Sequence, residues 1–298
     1  MWFKNLLIYR FTTPFQLAEN FDEQLAATPF VPCGSQDMMK AGWIAPMPDG
    51  ELPSHTANGC TLLCLRKQQK ILPGAAVAEA LDEKVREIET AQARKVYRKE
   101  RKELKEEILI TLAPRALTRS SRLYAYIDAQ NQWLIVNGGS RNRAEELLTQ
   151  LRTDIGSLPL VPVETNNQPA VLLTDWVKNG TVPPGFTLGD QCELRDAQET
   201  ANTVKVRGQD LRGDEVLQHI DAGKQVIKLA MNWREAIDFV IGDDLVIRRL
   251  KFRDELLEQV EKLDDARAQF DQEFGLMTLE LSKFIAETIA AFGGAVTD

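Results

Sequence analysis

The spacing of apolar and polar positions changes from strand-like to helix-like several times in the first half of the chain. Seven of the ten residues 2–11 are apolar or aromatic and predict a buried strand, whereas apolar positions four apart in 17–25 predict a helix. Residues 29–53 are rich in Pro and Gly, so we expect a loop with short strands there. The apolar run at 60–72 predicts a hairpin that turns near Lys67-Gln68-Gln69.

A helical pattern then continues from 75 to 112 and ends before Pro114, which predicts one long helix. Two apolar runs within 122–136 flank Asp128-Ala129-Gln130-Asn131 and predict a β-hairpin. Another helix is predicted through 144–151, because its apolar positions recur at helical spacing.

Five prolines between 158 and 185 interrupt the pattern, and we place a division of the chain there, into regions 1–157 and 158–298. The second region predicts, in order, short strands near 193–195 and 204–206, a helix near 216–220, and apolar strands at 226–231, 236–241 and 245–252. Sequential strands mixed with long helices favour an α+β protein with mixed or antiparallel sheets.

The last 43 residues carry apolar positions that recur mostly at spacings of three and four. This spacing is typical of helices that pack at a shallow angle, within one chain or between two. Packing into the core and a helical homodimer contact both remain open. The dimer interpretation rests on Phe270, Phe274, Met277, Leu281 and Phe284.

Composition narrows the class of protein. The chain has 298 residues, with 36 Lys and Arg against 44 Asp and Glu, so its net charge is −8. This balance excludes a uniformly basic protein that coats DNA. No apolar run approaches the roughly 18–20 residues of a bilayer span. The first residues lack the features of a secretory signal, so we expect a cytoplasmic protein without a membrane partner.

Histidine and cysteine offer little catalytic chemistry. Cys60 and Cys64 lie in an apolar run without a CxxC pair, which favours buried packing over zinc binding with His55. The chain contains no G-x-S-x-G motif, no P-loop and no strand followed by GxGxxG. We therefore expect no cofactor and no metal.

A short segment departs from the acidic average. Residues 94–122 hold ten Lys or Arg and four Glu, a net charge of +6. On a helix, Arg94, Arg98 and Lys102 share one face and form like-charged i,i+4 pairs, which are unfavourable in isolation. Such segregation suggests an anionic partner, although a solvated face is the simpler alternative. The candidate DNA contacts in this segment are Arg94, Lys95, Arg98, Lys99, Lys102, Arg115 and Arg119.

Basic residues also recur on the predicted strands of the second region. Lys224 and Lys228 have the same strand parity, so we expect them to project from one face. Few aromatic residues lie nearby, which favours contact with a duplex backbone over stacking on single strands. The other candidate contacts in this group are Lys205, Arg207, Arg248, Arg249 and Lys251.

Two alternatives to a non-enzymatic DNA-binding function depend on other residues. Asp238, Asp243 and Asp244 could gather around Mg²⁺ in a metal-dependent nuclease, although Asp is common in turns for its own reasons. A protein-binding regulator without affinity for DNA would use the C-terminal apolar positions instead.

Several motifs, in order along essentially the whole chain, resemble the recombination-associated RdgC family of proteobacteria. They are Trp2-Phe3-Lys4-Asn5-Leu6, Pro32-Cys33-Gly34-Ser35-Gln36-Asp37-Met38, Lys70-Ile71-Leu72-Pro73, Gln92-Ala93-Arg94-Lys95, Pro114-Arg115-Ala116, Gly156-Ser157-Leu158-Pro159, Gln209-Asp210-Leu211, Ala222-Gly223-Lys224 and Leu250-Lys251-Phe252.

The resemblance implies a non-enzymatic, nucleoid-associated protein that binds double-stranded DNA with little sequence preference. It further implies a homodimer closed into a ring around the duplex, which restrains the RecA recombinase by competing for DNA; direct contact with RecA stays open. It adds Gln209 as a DNA contact and Leu117 as a subunit contact. The chain departs from the family where Leu117 replaces an expected aromatic residue and Gly208 an expected lysine.

Overall fold

The computed structural model describes residues 2–196 and 202–296. It contains two antiparallel sheets with helices on and between them, which confirms the α+β class. Within those residues no helix is both long and apolar enough to cross a bilayer.

The first sheet has seven strands in the order β2-β4-β5-β6-β1-β7, with β3 paired to β4 beside β2. These strands are β1 (Leu7–Phe11), β2 (Met39–Ile44), β3 (Ser54–Ala57), β4 (Cys60–Ile71), β5 (Leu117–Asp128), β6 (Trp133–Val136) and β7 (Leu160–Pro162). Helices α1 (Phe21–Ala26) and α4 (Arg141–Ile155) cover one face and bury an apolar cluster against it. The division of the chain into 1–157 and 158–298 stays a prediction. Strand β7 comes from the second of these regions and pairs with β1 in this first sheet.

The second sheet has the order β12-β11-β10-β8-β9. Its strands are β8 (Phe186–Asp196), β9 (Thr203–Arg207), β10 (Lys224–Trp233), β11 (Ile237–Gly242) and β12 (Ile247–Phe252). Helices α5 (Pro169–Asn179) and α6 (Asp214–Asp221) pack on its inner face. Leu6, just before β1, exchanges two backbone hydrogen bonds of 2.8 and 3.1 Å with Ile247 and so connects the two sheets.

The short helix α7 (Asp254–Leu257) precedes the longest helix, α8 (Ala266–Ala291), which packs between the two sheets. Phe274 of α8 contacts Tyr126 of the first sheet, and Phe284 contacts Trp233 and Phe239 of the second. Gly275 does not break the helix; it lets the side chain of Asn58 approach closely.

The apolar positions of α8 belong to the core of the protomer. Phe274, Met277, Leu281 and Phe284 are 0% exposed, and Phe270 is also buried. A second chain has no access to these side chains, so the prediction that these five residues form a dimer interface is wrong. Core packing, the other interpretation of the same spacing, is correct.

Strand β4 is longer than its sequence suggested. It runs unbroken through Lys67-Gln68-Gln69 and pairs with β5 along its whole length, so the predicted hairpin within 60–72 is wrong. The actual hairpin joins β3 to β4 through Asn58-Gly59, whose φ angles of 50° and 75° lie in the left-handed region. Asn-Gly is a strong hairpin signal, because both residues tolerate positive φ.

The predicted long helix is two antiparallel helices, α2 (Gly74–Gln92) and α3 (Arg98–Leu112), which we call the helical hairpin. The chain reverses at Ala93, whose φ is 50°, and the Glu89 side chain accepts a hydrogen bond of 3.0 Å from the backbone of Val96. A small cluster around Leu81, Val85 and Leu104 holds the two helices together, separate from the main core. A 3₁₀ turn (Ala113–Arg115) returns the chain to β5.

Candidate nucleic-acid interface

The face of the second sheet opposite α5, α6 and α8 gathers basic side chains from three strands. We call it the basic face. It surrounds a shallow cavity of about 230 Å³. Its polar lining residues are Gln191, Glu193, Lys205, Arg207, Lys228, Arg248 and Arg249. Among the described residues, five cations and one carboxylate therefore line one cavity of a protein whose net charge is −8.

Strand register explains this arrangement. Lys205 and Arg207 of β9 lie opposite Glu193 and Gln191 of β8, and Lys228 of β10 lies opposite Glu193 from the other side. Directly opposed residues in an antiparallel pair share one face, so these side chains project together. Their apolar neighbours in sequence, including Cys192, Leu194 and Val206, face the core.

A β-bulge separates the two lysines of β10. The register shifts between Val226 and Lys228, which leaves Ile227 as an extra residue. A bulge reverses the alternation of side chains, so Lys224 points to the inner face and only 10% of its side chain is exposed. The prediction that Lys224 and Lys228 project from one face is wrong for this reason.

A second irregularity directs the arginines of β12. The register with β11 shifts between Arg248 and Lys251, and Arg249 adopts a φ of 52°. The Arg249 guanidinium donates a 3.2 Å hydrogen bond to the Gln191 side chain. Both consecutive arginines consequently reach the basic face, which strict alternation would forbid.

Two ion pairs fix cations of the basic face. Lys228 Nζ lies 3.0 Å from Glu193, and Arg248 binds both oxygens of Asp244 at 3.0 and 2.5 Å. Partial burial raises the pKa of Asp244, but the hydrogen bonds from Arg248 outweigh it and hold the pKa below its ordinary value of 3.8. The same contact raises the pKa of Arg248. Asp244 therefore stays ionised and keeps Arg248 in place.

The three aspartates of the nuclease alternative each have an arginine partner. Asp243 lies 3.0 Å from Arg195, Asp244 binds Arg248, and Asp238 accepts hydrogen bonds of 3.1 and 3.2 Å from Arg253. In the described ranges, no three His, Cys, Asp or Glu side chains come together in a group able to hold a metal ion. Lys251 lies opposite Asp238 in the register and is exposed.

Gly208 and Gln209 follow β9 beside the basic face. Gly208 has a φ of 66°, a conformation that favours glycine over the expected lysine. Gln209 is exposed, and its backbone approaches the carbonyl of Asp190 at 3.5 Å.

The other candidate contacts lie on the helical hairpin, where the structure balances their charge. Arg94 and Lys95 are in the turn rather than in a helix; Arg98, Lys99 and Lys102 are exposed on α3. Arg94 makes a two-pronged ion pair with Glu100, at 2.6 and 2.7 Å, and Arg101 pairs with Asp82 of α2. Residues 74–112 hold nine Lys or Arg and nine Asp or Glu, so the hairpin as a whole is neutral.

Arg115 and Arg119 are exposed at the base of the helical hairpin. Two further cations were not among the candidate contacts: Arg66 of β4 lies directly opposite Arg122 of β5. Like charges directly opposite each other are unfavourable, so this pair also marks a candidate site for an anion. Only the strand register reveals it, because 56 positions separate the two residues.

Leu117 lies in an exposed apolar patch. It is 79% exposed at the start of β5, directly opposite Ile71, which is 45% exposed. Large apolar side chains that cluster on a surface commonly mark a contact with another protein.

Comparison with known proteins identifies the same family that the sequence motifs resemble. The family described as "Putative exonuclease, RdgC" matches residues 1–295. Proteins named Recombination-associated protein RdgC from Aeromonas hydrophila, Tolumonas auensis and Psychromonas ingrahamii are 47%, 46% and 43% identical over 298 residues. Each alignment covers 99% of this chain and 98 or 99% of the relative. The chain belongs to the RdgC family.

Proposed function

We propose that this protein binds double-stranded DNA through the phosphate backbone, with little sequence preference and without catalysing a reaction on it. The observation that carries the proposal is the basic face, where five cations from three strands surround one cavity. Lys and Arg supply most of the affinity of proteins that bind DNA without reading its sequence.

The chemistry of the lining supports a duplex rather than single strands. None of the described residues that line the cavity is aromatic, so the cavity offers no platform for unpaired bases. Its cations stand on three strands of one sheet, β9, β10 and β12, which suits contact with several backbone phosphates. The acidic remainder of the surface repels DNA and restricts binding to this side of the molecule.

The proposed assembly is a homodimer closed into a ring around the duplex. The exposed patch of Ile71 and Leu117 supports one contact between subunits, because a second copy would remove these side chains from water. A ring needs a second contact as well. Bound DNA would then be withheld from the RecA recombinase, which is the regulatory role that the family resemblance implies, in a nucleoid-associated protein of the cytoplasm.

A gel-shift series tests DNA binding. Two duplexes of equal length and scrambled sequence should bind equally well, and log K should fall against log salt with a slope of about −0.9 per neutralised phosphate. Binding that ignores salt, or that strongly prefers one duplex, would contradict the proposal.

Two measurements test the ring. Mass in solution should correspond to a dimer, with and without duplex. Dissociation from a closed circular duplex should be slower than from a short linear one, because a ring slides off free ends. Equal rates would remove encirclement and leave DNA binding in place.

Incubation of supercoiled plasmid with Mg²⁺ tests the non-enzymatic part of the proposal. The plasmid should stay intact. Nicking that Asp243→Asn abolishes would instead establish a nuclease.

A further inference from the structure

Glu193 lies at the centre of the basic face. It is opposite Lys205 on one neighbouring strand and opposite Lys228 on the other. Its carboxylate contacts Lys228 Nζ at 3.0 Å, and 19% of its side chain is exposed. It is the one carboxylate among the described residues that line the cavity.

The other cations of this cavity have different surroundings. Arg248 binds Asp244, whose carboxylate comes from the turn before β12, outside the cavity lining. Arg249 contacts an uncharged amide of Gln191. In the described ranges, no carboxylate lies within 4 Å of the charged groups of Lys205 or Arg207, which leaves both available to an anion.

We infer that Glu193 is an internal competitor of DNA phosphate on the basic face. This inference rests on the proposed function, because it concerns the same surface. Carboxylate and phosphate oxygens accept the same hydrogen bonds from an ammonium group. A backbone phosphate that reaches Lys228 must displace Glu193, and the carboxylate repels every other phosphate nearby.

Glu193 thus limits both the affinity and the lifetime of the complex. Lys205 and Arg207 make the first contacts with phosphate, and Lys228 contributes only when Glu193 releases it. A protein that slides along DNA without reading its sequence needs contacts that break quickly, and the competing carboxylate provides this property.

The test compares duplex binding by the full-length protein and by Glu193→Gln, measured by fluorescence anisotropy at about 0.1 M salt. Glu193→Gln should bind about three- to tenfold more tightly, since it removes one negative charge close to several phosphates. Its salt dependence should steepen by about one phosphate, because Lys228 becomes available. Glu146→Gln is the matched control: Glu146 also pairs with a sheet lysine, Lys67 at 2.8 Å, but outside the basic face.

A second comparison does not depend on whether Glu193→Gln folds. Lys205→Gln should weaken duplex binding at least threefold more than Lys228→Gln does, because Glu193 already neutralises Lys228 in the free protein. The threefold ratio corresponds to the loss of about one phosphate contact in Lys205→Gln. Equal losses for the two lysines would overturn the inference. Folded Glu193→Gln with unchanged or weaker binding would overturn it too, while DNA binding itself would stand. If the unsubstituted protein fails to bind duplex, both the proposed function and this inference fail.

Discussion

The helical hairpin and the basic face both contain many cations, yet they carry very different net charge. The hairpin concentrates its Lys and Arg within 22 consecutive residues of sequence, 84–105, but its helices carry an equal number of acids in all. The basic face draws its cations from positions as far apart as Lys205 and Arg249, and Glu193 is the one carboxylate among the described residues that line its cavity. Strand register, rather than local sequence density, creates the more positive surface.

The two regions also differ in how firmly their cations are held. The basic face belongs to a sheet that covers the main core, and three of its five cations, Lys228, Arg248 and Arg249, bond to other side chains. The hairpin has its own small apolar cluster and exposed ion pairs. We therefore expect the face to present a rigid row of charge and the hairpin to present an adaptable one.

Substitutions that remove core packing should show the largest difference in stability between the two regions. Phe284→Ala should destabilise the whole protein by about 3–5 kcal/mol, because the side chain is fully buried against Trp233 and Phe239. Leu104→Ala should cost about 2–3 kcal/mol within the helical hairpin alone. Amide hydrogen exchange distinguishes these outcomes: Leu104→Ala should speed exchange in α2 and α3 only. Faster exchange in the sheets as well would show that the hairpin is not a separate unit.

Charge removal should then rank the two surfaces for DNA binding. Lys205→Gln with Arg207→Gln should weaken duplex binding about 10- to 100-fold and reduce the salt slope by about two. Lys99→Gln with Lys102→Gln removes the same charge from the helical hairpin and should cost less, because the hairpin is neutral overall. Anisotropy titrations at several salt concentrations measure both. A larger loss for the hairpin variant would reverse the ranking.

The apolar patch near the base of the hairpin should govern assembly. Leu117→Asp should raise the dissociation constant of the proposed dimer about tenfold or more, because it places a charge where a second copy would bury an apolar side chain. Light scattering across a dilution series measures the change. Val171→Asp is a control on another exposed apolar residue, 49% exposed, and should leave the mass unchanged.

The smallest effect should come from pH. The pKa of Asp244 is lowered in the folded state, so its contact with Arg248 stabilises the protein above about pH 3.8 and the contribution is lost as pH falls through the lowered pKa. Asp244→Asn should reduce the urea midpoint at pH 7, and the difference should vanish in strong acid. Glu100→Gln should change little at any pH, because its ion pair with Arg94 is at the surface. An equal loss from both variants would contradict the distinction between the two regions.

Sequence reasoning found the elements whose signals are local. The β5–β6 hairpin, the strands of the second sheet and the buried first strand follow from apolar runs and turn residues. The reversal at Ala93 was not visible, because neither Gly nor Pro marks it and its left-handed conformation is imposed by packing of the two helices. Residues 67–69 of β4 are polar, as the residues of a turn commonly are, because this part of the strand extends beyond the buried core.

The candidate site was predictable residue by residue but not as a surface. The sequence alone offers as candidate contacts all five cations of the cavity, which are Lys205, Arg207, Lys228, Arg248 and Arg249. The bulges at Ile227 and Arg249, which decide the face that each side chain reaches, depend on pairing between strands. The central position of Glu193 follows from the same register and has no signal of its own in the sequence.

The hydrogen bonds between Leu6 and Ile247 have a consequence for biosynthesis. Leu6 finds this partner only after 241 further residues have been made. At about 5–20 residues per second, that delay is roughly 12–50 seconds. During this time the apolar segment before β1 lacks its partner strand, so its apolar side chains stay exposed in the nascent chain and favour aggregation.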